Sequence, residues 1–208
     1  MTRIDTVCMH VQDIPPHFWM RAVSYLSDEE QGYAAQFSDS FMQHQWLAGR
    51  ILLRCLVAHR LRCALQNVRI VRLLSGQLQV TGLETDIHIS LSRAHGMLAA
   101  VVGSGVRVGI DIAAVKDFTE DTHRFPFSID VWCGREAVAK GCGRGLDWAL
   151  EPQCYGADGQ YYDDAAKAWS VVSVPLPTGW FGGLAFPMNE CPDAGIHVVQ
   201  PEDITHLV

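Results

Sequence analysis

Two periodicities dominate the middle of the chain. Between Val106 and Ile112, the apolar residues Val106, Val108, Ile110 and Ile112 alternate with Arg107, Gly109 and Asp111, the two-residue repeat of a half-buried strand. That register sends Asp111 away from the apolar face and predicts an exposed acid on a rigid support. From Trp132 to Lys140 the repeat lengthens: Trp132, Glu136 and Lys140 recur every four residues in a helix-forming stretch, so one helical face carries all three. Gly141 and Gly143 are placed to close this helix.

The flanking segments follow the same logic. A short strand is expected near Ile4 to Val11. Ser27 with Glu30 three residues on reads as a capping box opening a helix that runs to about Phe37. Ser40 can cap a second, longer helix whose apolar stripe includes Phe41, Trp46, Leu47, Leu52, Leu53, Leu56, Val57 and Leu61, while His44, Arg50, Arg54 and Arg62 lie on its other face. From Val68 the period returns to two: VRIVRLL, QLQV, IHISLS and MLAAVVG are short, rich in β-branched residues and separated by turns such as Ser75-Gly76 and His95-Gly96. They predict an antiparallel sheet packed on the long helix. After the Asp111 strand come a proline-broken stretch near Pro126, the Glu136 helix, a loop rich in Gly and Asp from Glu151 to Asp164, and three late strands, WSVVSV, WFGGLAF and GIHVVQ.

The order of strand, helix and sheet thus occurs twice. It predicts an α+β fold of two pseudo-symmetric lobes, residues 1–104 and 105–208, each a small antiparallel sheet on a long helix, with the ligand site at their interface.

Composition narrows the function classes. At 208 residues, 49% hydrophobic and 19% charged, the chain can bury a substantial core, and no segment reads as disordered. A net charge of −7 with 16 dispersed Lys and Arg argues against a nucleic-acid surface. No apolar run approaches the ~20 residues of a membrane span and the N-terminus lacks a signal-like core, so a cytoplasmic protein without a membrane partner is expected. Seven cysteines with no C-x-x-C pair suit reduced thiols rather than disulfides or zinc; Cys8 and His10 alone make too small a ligand set to assign a metal.

The candidate chemistry lies in the two periodic segments. Taken singly, Asp111 is a polar residue of a strand and Glu136 with Lys140 is an i,i+4 helix ion pair worth a few tenths of a kcal/mol. Taken together, two carboxylates and an ammonium suit a magnesium-bound diphosphate. Mg²⁺ takes one or two carboxylates and completes its shell with phosphate oxygens and water, which nominates Asp111 and Glu136 as ligands. Lys140 would then neutralise charge developing on the diphosphate.

Four blocks in order, LSDEEQGYAAQF with WLAGRILLRCL, then HISLSRAHGMLAAVV, VGIDIA and WCGREAVAKGCGRGL, resemble the 4'-phosphopantetheinyl transferases of the two-lobed, surfactin-synthetase-activating type, which includes holo-acyl-carrier-protein synthases of enteric bacteria. The resemblance covers most of Leu26 to Leu146. It implies Mg²⁺-dependent transfer of the phosphopantetheine arm of coenzyme A to a serine of an acyl or peptidyl carrier protein, releasing 3',5'-ADP. It makes Asp111, Glu136 and Lys140 catalytic, with Glu136 the candidate base, and places Arg50, Arg54, Ser92 and Arg93 on the coenzyme. A monomer is expected, since an internally duplicated cleft needs no second copy. The only dense basic cluster for an acidic carrier is Arg50, Arg54, Arg60 and Arg62.

The chain also departs from that family. Ala113 stands where many relatives have a second strand acid, and Ser90 and Arg93 replace a usual Asn and His. Glu30, Tyr33 and Gln45 stand where relatives place phosphate-gripping bases, and the stretch from Asp111 to Glu136 is short. The alternative implied is a catalytically impaired relative that keeps the fold to bind coenzyme or a partner protein.

Overall fold

The structure, a computed structural model, describes all residues except 1, 15–17, 19, 20, 22, 83–85, 121–126, 191, 193, 194 and 206–208. The stretch around Pro126 lies outside the described residues. The elements are β1 (Arg3–His10), α1 (Asp28–Ala34), α2 (Ser40–Leu61), β2 (Arg69–Arg72), β3 (Leu78–Thr81), β4 (Ile87–Ala94), β5 (Met97–Ser104), β6 (Gly109–Ala114), α3 (Val115–Glu120), α4 (Ile129–Gly141), α5 (Leu146–Leu150), β7 (Tyr161–Tyr162), β8 (Ala168–Ser173), β9 (Trp180–Pro187), β10 (Ile196–Val198) and α6 (Pro201–Thr205). The fold is mixed α+β with two sheets. One has six strands in the order β10-β1-β5-β4-β3-β2; the other has four, β6-β9-β8-β7.

Local chemistry sets the helix ends. Ser27 and Glu30 form the expected capping box, with Glu30 N–H donating to Ser27 Oγ and Ser27 N–H to Glu30 Oε2. α1 nevertheless ends three residues before Phe37. The long helix is capped one residue earlier than the sequence suggested: the Asp39 carboxylate accepts the Met42 N–H at 2.9 Å. At the end of α4, Gly143 adopts φ +72°, the left-handed turn that lets Arg144 N–H reach back to the Ala139 carbonyl.

β5 shows how the layers stack. Leu98, Ala100 and Val102 pack with Leu53, Leu56 and Val57 of α2, while the alternating Met97, Ala99 and Val101 pack with Val108 and with Ile110 and Leu184 of the second sheet. The strand is covered on both faces, which is why it reads as a continuous apolar run. A third cluster, Ala137, Val138, Trp169 and Ala185, seats α4 on the far face of the second sheet.

The expected grouping of strands changes at the C-terminus. The segment GIHVVQ does not join the second sheet: β10 pairs parallel with β1, with Ile4 opposite Ile196 and Asp5 opposite His197. The first sheet is therefore not wholly antiparallel, and residues 105–208 do not form a self-contained half. Asp5, fully buried, draws Arg3, Arg60 and His197 toward it from three elements and ties this return strand down.

Candidate functional site

β6 is an edge strand of its sheet, and an edge leaves backbone N–H groups unpaired. Two serines of β4 meet that need. Ser90 and Ser92, two residues apart and so on one face of their strand, accept the N–H groups of Ile110 and Ile112, each at 3.2 Å. Side chains of the first sheet thus close the edge of the second.

Asp111 sits on this strand and is buried, 6% exposed, which corrects the expectation of an exposed acid. The apolar residues of the alternation do face the core, but the opposite face is roofed by α4. At Gly109 the helix lies directly on strand backbone: a Cβ there would collide with the Ala137 carbonyl oxygen. In that shelter Asp111 Oδ1 accepts the Ser92 hydroxyl at 2.8 Å and Lys140 Nζ at 2.6 Å. Lys140 also reaches Ser92 Oγ at 3.2 Å.

Glu136, one helical turn before Lys140, completes the group. Its Oε1 is buried without a hydrogen-bond partner. Burial first, and the nearby Asp111 charge second, push its carboxyl up to about 7 against the opposing pull of Lys140. Asp111 of β6 thus contacts Lys140 directly, and Glu136 one turn earlier on α4 lies near enough for both charges to act on it. Cys133, fully buried on the same helix, faces the group as well; burial and the Asp111 charge raise its thiol well above the ordinary range, so it stays protonated.

Glu136 and Lys140 open onto a cavity of ≈ 270 Å³ whose other walls carry Trp46, Arg50, Arg72 and Arg93, with Arg144 at its rim. Arg50 is 7% exposed, its guanidinium lies 5.3 Å from the centre of the Trp46 ring, and its Nη1 has no partner. Burial first, then crowding by Arg54, Arg93 and Arg72, lowers its proton affinity against the opposing Glu30 charge. Burial and Arg72 do the same to Arg93, opposed by Tyr33. In a chain of net charge −7, this concentration of cations around one wall gives the cavity a local positive charge suited to an anion.

The coenzyme-binding expectations divide on this geometry. Arg50 and Arg93 line the cavity. Ser92 is instead spent on Asp111 and the β6 edge. Arg54 is committed elsewhere: Nη1 and Nη2 grip Glu30 at 3.0 and 2.6 Å and Nε donates to the Val68 carbonyl at 3.2 Å. Its position on the polar face of α2 suggested a free cation, but α2 is buried on all sides from Gln45 to Ala58 and Arg54 is neutralised inside the protein. His95 is a turn residue at φ +43° whose Nε2 lies 2.9 Å from Asp117 Oδ1, away from the cavity.

Sequence reasoning missed Arg72 and Arg144. Arg72 shares its strand face with the buried Ile70, which points it toward α2, and Arg144 is bracketed by Gly143 and Gly145 at a helix end; both are weak local signals. Among the described residues no three His, Cys, Asp or Glu side chains cluster as a self-sufficient metal set. Two carboxylates, one with an orphaned buried oxygen, do fit a hard cation that takes its remaining ligands from phosphate and water. Neither a protein-family model nor a curated protein matches the chain.

Proposed function

We propose that the protein is a Mg²⁺-dependent 4'-phosphopantetheinyl transferase of two-lobed type, which moves the phosphopantetheine arm of coenzyme A onto a serine of an acyl or peptidyl carrier protein. The observation that carries this reading is the convergence of Asp111, Glu136 and Lys140 beside a cavity walled by Arg50, Arg72 and Arg93. The contact between the two sheets, bridged by Ser90 and Ser92, supports this reading, in which the site lies between two lobes.

In this reaction the carrier serine oxygen bonds to the phosphorus attached to pantetheine, the bond from that phosphorus to the bridging oxygen breaks, and 3',5'-ADP leaves with the electron pair. Glu136, whose buried Oε1 has no hydrogen-bond partner in the protein, takes the serine proton. Lys140 offsets the negative charge that grows on the departing oxygen. Arg50, Arg72 and Arg93 hold the remaining phosphate, with guanidinium forks matched to its oxygens. Asp111 and Glu136 are the residues that would hold magnesium, which supplies neutralisation of the diphosphate when bound.

Incubation with coenzyme A, Mg²⁺ and a set of apo carrier proteins tests this directly, with the carrier mass as readout. The expected result is a phosphopantetheine adduct that Glu136→Gln abolishes. One observation favours a second reading. Ala113, opposite Phe181 and 7% exposed, leaves β6 without a second acid. A coenzyme-induced rise in melting temperature with no adduct on any carrier would select a coenzyme-binding relative without turnover.

A further inference from the structure

A second, larger hollow of about 1010 Å³, at the upper end of ligand-cavity sizes, lies between α1 and β2. Its lining is informative. Five consecutive residues, Val68, Arg69, Ile70, Val71 and Arg72, contribute to one wall. A groove over one face of a sheet would be lined by every second residue; consecutive lining means that it runs along the edge of the strand. β2 is the terminal strand of the six-stranded sheet and pairs only with β3, so among the described residues its outer edge has no strand partner. Tyr25, Glu29 and Tyr33 form the facing wall.

Charge decides what fits. Glu30 is cancelled by Arg54 within the protein. Of the groove's other charged residues, Arg50 shares the Glu30 charge at 3.7 Å, Arg69 and Arg72 are cationic, and only Glu29 is anionic. Val71, 40% exposed, and Tyr33, 43% exposed, offer apolar contacts between these charges.

We propose that this groove binds an extended acidic peptide segment of a partner protein, added to the free edge of β2 as a further strand. Backbone groups of the segment pair with β2, its carboxylates face Arg69 and Arg72, and alternate apolar side chains rest on Val71 and Tyr33. The groove shares Arg50 and Arg72 with the cavity assigned above to the coenzyme, but peptide binding along β2 requires no transfer step.

The test is fluorescence anisotropy with the full-length protein and a labelled peptide of about six residues alternating Glu and Val, a usual strand length. A Lys/Val peptide and an N-methylated Glu/Val peptide serve as counterparts. The Glu/Val peptide is expected to bind, with slowed amide hydrogen exchange at residues 69–72. Arg69→Glu should weaken it about tenfold or more and confer binding of the Lys/Val peptide, because rim charges select partner sign. N-methylation, which removes backbone donors, should abolish binding. Absence of Glu/Val binding, equal binding of the Lys/Val peptide to the parent protein, or retention after N-methylation each overturns the proposal. Because none of these arms reads transfer, their failure is distinct from failure of the transferase reading.

Discussion

Ser92 on the first sheet holds Asp111 on the second. Its hydroxyl donates to Asp111 Oδ1 at 2.8 Å and, with its lone pairs, accepts the Ile112 N–H and Lys140 Nζ, each at 3.2 Å. One buried oxygen thus aligns a strand edge, a carboxylate and an ammonium. Ser92→Ala leaves the Ile112 N–H unpaired and Asp111 free to swing. The expected outcome is a stability loss of about 1–3 kcal/mol in denaturant unfolding, together with roughly a tenfold fall in carrier modification. An unchanged transfer rate would show that Asp111 needs no such support.

Lys140 is the cation closest to the paired acids. Lys140→Met removes the one influence that lowers the proton affinity of Glu136 while leaving Asp111 beside it. Turnover is expected to drop about 10²–10³-fold, the usual cost of a lost transition-state charge partner, with the apparent KM for the carrier little changed. Lys140→Arg should recover part of the rate. A rise in KM alone would make Lys140 a docking residue rather than a participant in the chemistry.

Glu30 and Arg54 form the internal ion pair that takes Arg54 out of the proposed coenzyme site. Glu30→Gln leaves Arg54 and Arg50 buried with no counter-charge, at a cost of about 3–5 kcal/mol. The double variant Glu30→Gln with Arg54→Met should be milder than Glu30→Gln alone, since both charges then leave together. The pH dependence follows from the direction of the shift. Burial raises the Glu30 carboxyl, but the Arg54 hydrogen bond and charge, the Ser27 N–H and Arg50 together hold it below its ordinary 4.5. Its contribution is therefore complete above that value and is lost as pH falls through the lower, folded-state value. Thermal unfolding between pH 5 and pH 2 should show a shallower slope in Glu30→Gln than in the parent.

The elements most legible in the sequence are those whose cause is local. The Ser27–Glu30 capping box, the Trp132–Glu136–Lys140 face and the Val106–Ile112 alternation each depend on residues within a turn or a strand of one another. What the sequence does not carry is what lies against them. Asp111 reads as exposed because nothing in its strand announces that α4 will cover the polar face. Arg54 reads as a free cation because its partner is 24 residues away on another helix. The return of β10 to β1 has no local marker at all; it depends on a parallel register between opposite ends of the chain.

Gly109 marks how tightly that cover is drawn. Its missing side chain lets the Ala137 carbonyl and the Gly141 amide rest on the strand, which brings the Glu136–Lys140 turn down to Asp111. Gly109→Ala forces the helix off the sheet and draws Ala137 and Val138 away from Trp169, and overpacking of this kind costs about 1–3 kcal/mol. The variant should lose transfer activity more than stability, because the lifted helix carries both charged residues. A variant that is destabilised yet fully active per folded molecule would show that the Asp111–Lys140 contact is not needed.

Glu136 supplies the sharpest pH signature. Its carboxyl is raised from 4.5 to about 7, so between those values the folded protein holds a proton that the unfolded chain releases. The stability of the metal-free protein therefore falls as pH rises through that window, and Glu136→Gln removes the fall. Magnesium reverses the preference, because a cation held by Asp111 and Glu136 must displace the Glu136 proton. The rise in melting temperature on adding Mg²⁺ is thus expected to be larger at pH 8 than at pH 6, with apparent affinity weakening about tenfold per pH unit below 7, and to vanish in Glu136→Gln. A Mg²⁺ effect that is flat with pH, or intact in Glu136→Gln, would place the ion away from this pair of acids and remove the metal from the proposed site.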